Sequence, residues 1–396
     1  MRLLIYSHDT FGMGNIRRML AISRGLLTGL PQSSILLLTG SPVIHLLQPD
    51  SPQRMDYVKL PCLTRTDRGE YEARYLDTSG AELIRLRSEL ILATVRNFAP
   101  DLLIVDKKPG GVRGELRPAL DFLRTENPQT RTALILRDIL DRPEAIISNW
   151  EQRGHYDYLR RDYDRILILG QREIFDPLTE YRFPAEAVRQ ARFCGYLRKD
   201  VDPVRVRQER ESLRVDGNGR RMLLITPGGG ADGSRLVEVC LAALAQHQPI
   251  NLQTIVVSGP EMAAADRERL RAMAGALPGT SFLEFSQDLL ALMAAADLVI
   301  SMAGYNTICE ILSLRRRAIV VPRVRPTEEQ WLRVERFAPL GCFTAIHPDN
   351  LTPELMSEEI GRQLDSPVDE EVWSRIDLGA QEAINAEVRA LLGDDG

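Results

Sequence analysis

The feature that most constrains the fold of this chain is a regular alternation of short apolar runs with segments of helical periodicity. The apolar runs lie at 2–7, 34–39, 56–60, 101–106, 132–137, 165–170, 221–226, 252–259, 281–285, 297–301, 317–322 and 342–346. Because each run is continuously apolar, both of its faces must be covered, as in a parallel sheet packed between helices. Two sets of six such strands predict an α/β protein with two doubly wound, Rossmann-like domains.

A polar segment broken by proline and glycine, at about 195–220, separates the two sets of strands. We therefore predict an N-terminal domain over 1–195 and a C-terminal domain over 196–396. The last stretch, about 370–396, has the pattern of an amphipathic helix that can pack back on the N-terminal domain. The segment 61–79 is long for a loop, and such loops are usually functional or disordered.

The overall composition argues against several classes of protein. The formal net charge is only −5, so no global field favours nucleic acid. The five cysteines have no C-x-x-C spacing, which indicates reduced thiols in a cytoplasmic protein. No run reaches the ~18 apolar residues of a transmembrane helix, so we expect a chain that can lie on a membrane but does not cross it.

Polar and glycine-rich segments follow the predicted strands, at the edge where open parallel sheets bind ligands. In the first half these segments are His8 with 11–15, Asp106 with 107–111, and Asp138. In the second half they are 227–234, 259–260, Ser286, 301–306 and Arg323. If the two edges face each other, they form a central cleft.

Familiar nucleotide motifs do not fit these segments. The first loop has two glycines of a dinucleotide fingerprint but Arg17 at the third position, and 227–234 lacks the lysine of a Walker loop. Asp162 and Asp164 have D-x-D spacing, but they precede a strand, and we predict a solvated turn there. No metal site is therefore expected.

Anion binding by peptide N–H groups remains as the best interpretation. The turns at 227–234 and 301–307 each join a strand to a helix, and glycines there allow close approach to a phosphate. Two such sites suit a diphosphate. Glu310, in the second turn of the helix after Gly304, can accept the hydroxyls of a ribose, or it can be an ordinary exposed helix residue.

The start of a later helix has two interpretations. Thr327 and Gln330 have the spacing of a capping box. Alternatively, Glu329 and Gln330 form hydrogen bonds with the hydroxyls of a sugar. The two roles can coexist at one helix end.

Several motifs together resemble a known family. The segments "SMAGYNTICEIL", "AIVVPR" and "EEQWLRVERF" resemble the carboxyl-terminal half of family-28 glycosyltransferases, two-domain GT-B enzymes related to the peptidoglycan N-acetylglucosaminyltransferase and the galactolipid synthases. The segments "YSHDTFGMGNIRR", "VDKKPGGVRGEL" and "LRDILDRPE" resemble a branch of predicted glycosyltransferases. The resemblance covers essentially the whole chain and implies a nucleotide-sugar donor in the second domain and an acceptor in the first.

The resemblance also implies roles for individual residues. The donor-binding residues would be Arg198, Gly228, Gly229, Gly230, Phe285, Ser286, Ser301, Ala303, Gly304, Tyr305, Asn306, Glu310, Glu329 and Gln330. Among them, Phe285 and Ser286 would meet the base, Glu310 the ribose, and Glu329 with Gln330 the sugar. In the first domain, Gly12, Gly14 and Asn15 would form an acceptor or phosphate loop.

The chain departs from the family at one position that matters for catalysis. Relatives commonly carry a histidine, a favoured general base, where this sequence has Asn15, and an amide cannot take up a proton at neutral pH. Asn15 then only orients the acceptor or a phosphate. The replacement bases are His8, Asp138 and, third, Asp106, all at predicted strand ends.

We therefore predict an inverting, metal-independent glycosyltransferase that moves a hexose-type sugar from a nucleotide diphosphate, UDP by resemblance, to an unknown hydroxyl acceptor. No cofactor is expected, and the acceptor can be a lipid, a glycan or a small molecule. Two alternatives stay open: a nucleotide-sugar 2-epimerase of the same fold, and a catalytically inactive nucleotide-sugar-binding module.

Overall fold

The protein is described from a computed structural model. The described residues are 1–8, 14–47, 53–66, 70–213, 215, 219–247, 251–366 and 370–393. Two compact units divide the chain, one formed by Met1–Leu197 with Gly379–Gly396 and the other by Arg198–Leu378. The boundary thus lies two residues after the predicted one, and the C-terminal helix belongs to the first unit.

The regular elements of the described residues follow the predicted alternation. The strands are β1 (Arg2–Ser7), β2 (Ser34–Thr39), β3 (Met55–Lys59), β4 (Leu63–Arg65), β5 (Tyr71–Ala73), β6 (Leu102–Asp106), β7 (Arg131–Arg137), β8 (Arg165–Leu169), β9 (Ala191–Phe193), β10 (Arg221–Thr226), β11 (Leu252–Val257), β12 (Thr280–Leu283), β13 (Leu298–Ser301), β14 (Ala318–Val320) and β15 (Thr344–Ala345). The α-helices are α1 (Gly14–Gly29), α2 (Ile44–Leu47), α3 (Gly80–Phe98), α4 (Arg117–Glu126), α5 (Pro143–Gln152), α6 (His155–Arg161), α7 (Pro177–Glu180), α8 (Ala185–Gln190), α9 (Pro203–Ser212), α10 (Ser234–Gln246), α11 (Ala264–Gly275), α12 (Leu289–Ala295), α13 (Tyr305–Leu314), α14 (Glu329–Phe337), α15 (Pro353–Asp365) and α16 (Ala380–Leu392). Short 3-10 turns occupy Val112–Gly114, Ala338–Leu340, Pro348–Asn350 and Val372–Arg375.

The first unit is built on a seven-stranded parallel sheet in the order β3-β2-β1-β6-β7-β8-β9. Strand β1 lies beside β6, with Tyr6 opposite Val105. This register places the residues that follow β1 next to those that follow β6. The strand β9 was not predicted. The segment 61–79 contains an antiparallel pair, β4 with β5.

The second unit is built on a six-stranded parallel sheet in the order β12-β11-β10-β13-β14-β15. Thr226 at the end of β10 is opposite Ser301 at the end of β13, and Ser301 is opposite Val320 at the end of β14. Three consecutive loops therefore leave one edge of the sheet at the same level. The predicted class, α/β with parallel sheets in two domains, is confirmed.

Helix α16 packs against α1 within the first unit. Gln381 and Asn385 donate hydrogen bonds to the carbonyls of Ile22 and Gly25. A Cβ atom on Gly25 would lie 2.0 Å from the end of the Gln381 side chain, which would then have to move. No helix of the described residues is long and apolar enough to cross a bilayer.

Candidate functional site

Two glycine turns of the second unit approach the same side chain. A Cβ atom built on Gly228, after β10, would lie 4.0 Å from the hydroxyl oxygen of Thr307. One built on Gly304, after β13, would lie 3.8 Å from the same oxygen. The paired ends of β10 and β13 bring the turns together. This arrangement is compatible with a shared diphosphate site.

The turn after β10 needs its glycines. Gly228 and Gly230 have φ values of 85° and 96°, in the left-handed region that disfavours other residues. A Cβ atom on Gly230 would lie 2.3 Å from the carbonyl oxygen of Ser258. The backbone N–H of Glu261 donates to the carbonyl of Gly229 over 2.9 Å. The turn is therefore held backbone to backbone against the loop that follows β11.

Helix α13 begins beside these turns. Its N-cap residue is Gly304, and no side chain caps the helix. The first N–H groups of a helix have no acceptor inside the helix, and its N-terminus carries a partial positive charge. The backbone N–H groups of Tyr305, Asn306 and Thr307 lie in this first turn, the part of a helix that can bind an anion. Glu310 is partly exposed in the second turn of α13.

Gln330 connects the loops that follow β13 and β14. Its side-chain carbonyl accepts hydrogen bonds from the backbone N–H of Ala303, at 3.2 Å, and of Arg323, at 2.9 Å. The N-cap of α14 is Glu328 without a side-chain cap, so the predicted capping box of Thr327 with Gln330 is wrong. The capping-box pattern joins two residues of one helix start, whereas the observed hydrogen bonds join Gln330 to two different loops.

A buried cation lies under the turn at 303–305. Arg333 is 1% exposed, and its guanidinium donates to the carbonyl of Ala303 at 3.0 Å and to the carboxylate of Glu329 at 2.9 Å. The guanidinium carbon lies 5.6 Å from the ring centre of Tyr305. Sequence reasoning missed Arg333. The spacing of Glu329 and Arg333, four residues apart on a helix, was the available signal.

The other predicted donor residues differ in exposure. Phe285 is 49% exposed after β12, where a flat apolar ring is accessible for stacking. The hydroxyl of Ser286 accepts from the N–H of Asp288. Arg198 is well exposed and pairs with Asp200 at 3.4 Å. Ser301 is fully buried, and its hydroxyl donates to the carbonyl of Met302, so this hydroxyl faces the protein interior.

In the first unit, Asn15 connects the end of β1 to a buried ion pair. Its amide nitrogen donates to the carbonyl of His8 at 2.6 Å, and its amide oxygen accepts from Arg18 at 3.2 Å. Arg18 pairs with Asp106 at 2.7 Å, and both side chains are at most 2% exposed. The pairing uses Oδ1 of Asp106, whereas its Oδ2 has no hydrogen-bond partner among the described residues. Gly14 is the exposed first residue of α1, whereas Gly12 lies outside the described residues.

His8 is a buried, neutral imidazole. It is 4% exposed, and burial together with the charges of Lys108, Lys107, Arg87 and Arg18 holds its pKa well below 6.5. Its Nδ1 has no hydrogen-bond partner among the described residues. A neutral imidazole can accept a proton, which the Asn15 side chain cannot.

Asp138 is held by structural hydrogen bonds. One carboxylate oxygen accepts from the hydroxyl of Tyr196 at 2.6 Å, and the other accepts from the N–H of Ile139 at 2.7 Å. The residue is fully buried. Asp162, predicted in a solvated turn, is also buried, and burial raises its pKa to about 6. That prediction of a solvated turn is wrong for Asp162.

A family-level comparison identifies the second unit. Residues 222–375 match the glycosyltransferase family 28 C-terminal domain. The second unit thus resembles the C-terminal domain of family 28 glycosyltransferases. This match confirms the predicted resemblance for the second unit. The loops that follow β10, β13 and β14 all lie within the matched residues.

Curated relatives share part of the chain. The UDP-N-acetylglucosamine--N-acetylmuramyl-(pentapeptide) pyrophosphoryl-undecaprenol N-acetylglucosamine transferase of Methylorubrum populi is 27% identical over 157 residues, 38% of this chain and 41% of its own length. An uncharacterized glycosyltransferase of Methanopyrus kandleri is 26% identical over 145 residues, 36% of this chain and 38% of its own length. The alignments thus span less than half of each relative.

Solved structures match the fold over nearly the whole chain. MurG of Acinetobacter baumannii has a TM-score of 0.64 at 13% identity, over 98% of this chain and 99% of its own. The glycosyltransferase SnogD of Streptomyces nogalater has a TM-score of 0.64 at 17% identity, over 99% of this chain and 100% of its own. The predicted GT-B fold is confirmed.

Proposed function

We propose that the protein is an inverting, metal-independent glycosyltransferase that transfers a hexose-type sugar from a UDP-linked donor to a hydroxyl acceptor. The observation that carries the proposal is the approach of the turns at Gly228 and Gly304 to Thr307, at the uncapped start of α13. The name of the Methylorubrum populi relative, a UDP-N-acetylglucosamine transferase, supports UDP as the nucleotide.

In this proposal, the family 28 domain binds the donor. The diphosphate lies against the N–H groups that start α13, and buried Arg333 adds positive charge behind the turn. Glu310 accepts the ribose hydroxyls, and exposed Phe285 stacks against the base. Preorganised dipoles of this kind stabilise the charge that develops on a leaving diphosphate.

The sugar contact is assigned to Gln330. Two backbone N–H groups fix its carbonyl, which orients the amide. No hydrogen bond to another described residue occupies its amide nitrogen. That nitrogen is therefore the donor offered to a sugar hydroxyl. One carboxylate oxygen of Glu329 accepts a hydrogen bond from the guanidinium of Arg333, and Glu329 directly precedes Gln330 in the sequence.

The proposed base is His8. It is neutral and follows β1, whereas Asp106 forms a buried ion pair with Arg18 and both carboxylate oxygens of Asp138 accept hydrogen bonds. In the reaction, the acceptor hydroxyl transfers its proton to His8 and attacks the anomeric carbon. The bond from that carbon to the diphosphate oxygen breaks, and UDP leaves. Asn15 orients the loop at the start of α1.

The relatives also suggest where the protein works. The Methylorubrum populi relative is named for a pyrophosphoryl-undecaprenol acceptor, which is a lipid. We propose a cytoplasmic protein that contacts a membrane peripherally when it takes up its acceptor.

The test is a binding and turnover experiment on the full chain. UDP, TDP and GDP and their sugar derivatives are titrated with a chelator present, and proton NMR follows the bound donor without and with acceptor extracts. We expect tight binding of a UDP-sugar and release of UDP only with acceptor. Rearrangement of the sugar without acceptor would indicate an epimerase. Binding without any turnover would indicate an inactive module, and no nucleotide binding would refute the site itself.

A further inference from the structure

An ion pair joins two loops of the second unit. Arg323, in the loop after β14, donates through one guanidinium nitrogen to a carboxylate oxygen of Asp232, in the loop after β10, at 3.2 Å. Neither side chain takes part in the donor contacts assigned above. The two side chains are 30% and 41% exposed. The pair is therefore accessible to a ligand.

This ion pair spans the turn that starts α13. Strands β10 and β14 are not neighbours, because β13 lies between them in the sheet. The three strands end at the same level, so the loops that follow them lie side by side in the same order. Strands β10 and β14 are about 10 Å apart, twice the spacing of adjacent strands. A contact between the two outer loops therefore bridges the middle loop, which contains Ala303 and Gly304.

A shared hydrogen-bond acceptor fixes the backbone of Arg323 beside the same turn. The side-chain carbonyl of Gln330 accepts from the backbone N–H of Arg323, at 2.9 Å, and from that of Ala303, at 3.2 Å. The two backbone nitrogens are therefore no more than about 6 Å apart. Because these bonds use the backbone of Arg323, its side chain can change its partner while the loop stays in place.

The guanidinium of Arg323 has unused hydrogen-bonding capacity. A guanidinium carries five N–H donors, and one of its nitrogens bonds to Asp232. Its Nε is buried and has no hydrogen-bond partner among the described residues. A buried donor without an acceptor costs free energy, which a ligand contact recovers. The fork of an arginine also matches phosphate oxygens in pairs.

Asp232 holds this guanidinium weakly. An exposed ion pair contributes little to stability, because water screens the charges and both side chains lose freedom. A diphosphate carries more negative charge than one carboxylate and so attracts the same guanidinium more strongly. The released carboxylate of Asp232 stays hydrated, since it is already exposed. A diphosphate can therefore take the place of Asp232.

We propose that Arg323 leaves Asp232 when the donor binds and contacts the phosphate that carries the sugar, so that Asp232 and the donor compete for Arg323. The proposal rests on the proposed function, because it takes the diphosphate at the start of α13 as given. The sugar-bearing phosphate is favoured over the one beside the ribose, because the backbone of Arg323 is bonded to Gln330, the residue assigned to the sugar.

This exchange gives each partner a role. In the empty protein, Asp232 neutralises the guanidinium and keeps it beside the site. During transfer, the bond between the anomeric carbon and the phosphate oxygen breaks, and its electron pair stays on that oxygen. The negative charge then grows on the phosphate that Arg323 contacts, where a positioned cation stabilises it.

The test compares UDP with UMP, which lacks that phosphate, by calorimetric titration of the full chain. Arg323→Gln should weaken UDP binding about tenfold, the loss expected for one charge-assisted hydrogen bond, and leave UMP affinity within about twofold. Asp232→Asn should act in the opposite direction and tighten UDP binding by up to about fivefold, because it removes the competing charge. The double variant should bind UDP as Arg323→Gln does.

The matched control is another exposed ion pair of the second unit, between Arg221 and Asp365 at 2.8 Å. Arg221 begins β10, so it lies at the opposite edge of the sheet from the glycine turn. Arg221→Gln and Asp365→Asn should each change UDP affinity by less than about twofold. All four single variants should unfold near the wild-type urea concentration, because exposed ion pairs add little stability.

The outcomes separate this inference from the proposed function. Wild-type UDP affinity in Arg323→Gln, or equal losses of UDP and UMP affinity, would overturn the phosphate contact. Unchanged or weaker UDP binding by Asp232→Asn would overturn the competition. If the wild-type protein binds UDP and these variants bind it equally well, only this inference fails, whereas a wild-type protein that binds no UDP refutes the proposed function.

Discussion

Replacing Gly304→Ala should separate nucleotide binding from folding. Gly304 has φ −61° and ψ 145°, a conformation that alanine adopts without strain. The nearest atom to the new Cβ would be Thr307 Oγ1 at 3.8 Å, which is ordinary contact. As an N-cap residue, alanine stabilises the folded chain by about 1 kcal/mol less than glycine does. Alanine also reduces the conformational entropy of the unfolded chain, which raises the free energy of unfolding by about 0.4–1 kcal/mol. The free energy of unfolding should therefore change by less than about 0.6 kcal/mol.

Binding should change far more than stability. The methyl group enters the space shared by the turns at Gly228 and Gly304, where the proposed diphosphate oxygens must come within about 3 Å of the first N–H groups of α13. We expect the affinity for UDP to fall at least tenfold, or about 1.4 kcal/mol, by calorimetry. The control is Gly361→Ala in α15, which meets nothing within 4 Å and should add about 1 kcal/mol of stability. Wild-type affinity in Gly304→Ala would refute the assignment of the diphosphate to the start of α13.

Three further predictions concern buried polar side chains. Arg333→Met leaves Glu329 without its buried partner and should cost about 3 kcal/mol in urea unfolding, so an unchanged midpoint would contradict the pairing. Asp138→Asn should lower stability by about 1–3 kcal/mol but leave turnover within tenfold, and a much larger loss of turnover would make Asp138 the base. The folded-state pKa of His155, about 4, lies below its unfolded value of 6.5, so protonation favours the unfolded chain. The free energy of unfolding should thus fall by up to about 3 kcal/mol as pH drops from about 6.5 to about 4, and His155→Gln should reduce that slope.

The strands were predictable because their signal is local. Every apolar run of the sequence became a strand, since a continuously apolar segment has no stable place except between covering layers. The edge strand β9 was missed because it has three residues and only one of them is buried. The glycine turns were also predictable, because a left-handed φ at Gly228 leaves few other residues possible.

The roles of single polar residues were less predictable, because their partners are distant in the sequence. Tyr196, which donates to Asp138, is 58 positions away from it. Ala303, which donates to Gln330, is 27 positions away. Neither sequence separation corresponds to the short repeat of a helix or a strand. A strand-end carboxylate therefore looked like a base and a helix-start glutamine like a cap until the folded chain supplied their partners.

The two units present positive charge in different ways. Around the turn at 303–305 of the second unit it is buried and fixed, whereas around a cavity of the first unit it is exposed. In the second unit, positive charge comes from peptide dipoles at α13 and from Arg333, which is 1% exposed and held by two acceptors. Such groups cannot reorganise, which suits a leaving group whose charge grows during the reaction. In the first unit, Arg113 and Arg153 are exposed and line a cavity, and exposed cations attract an anion and then release it.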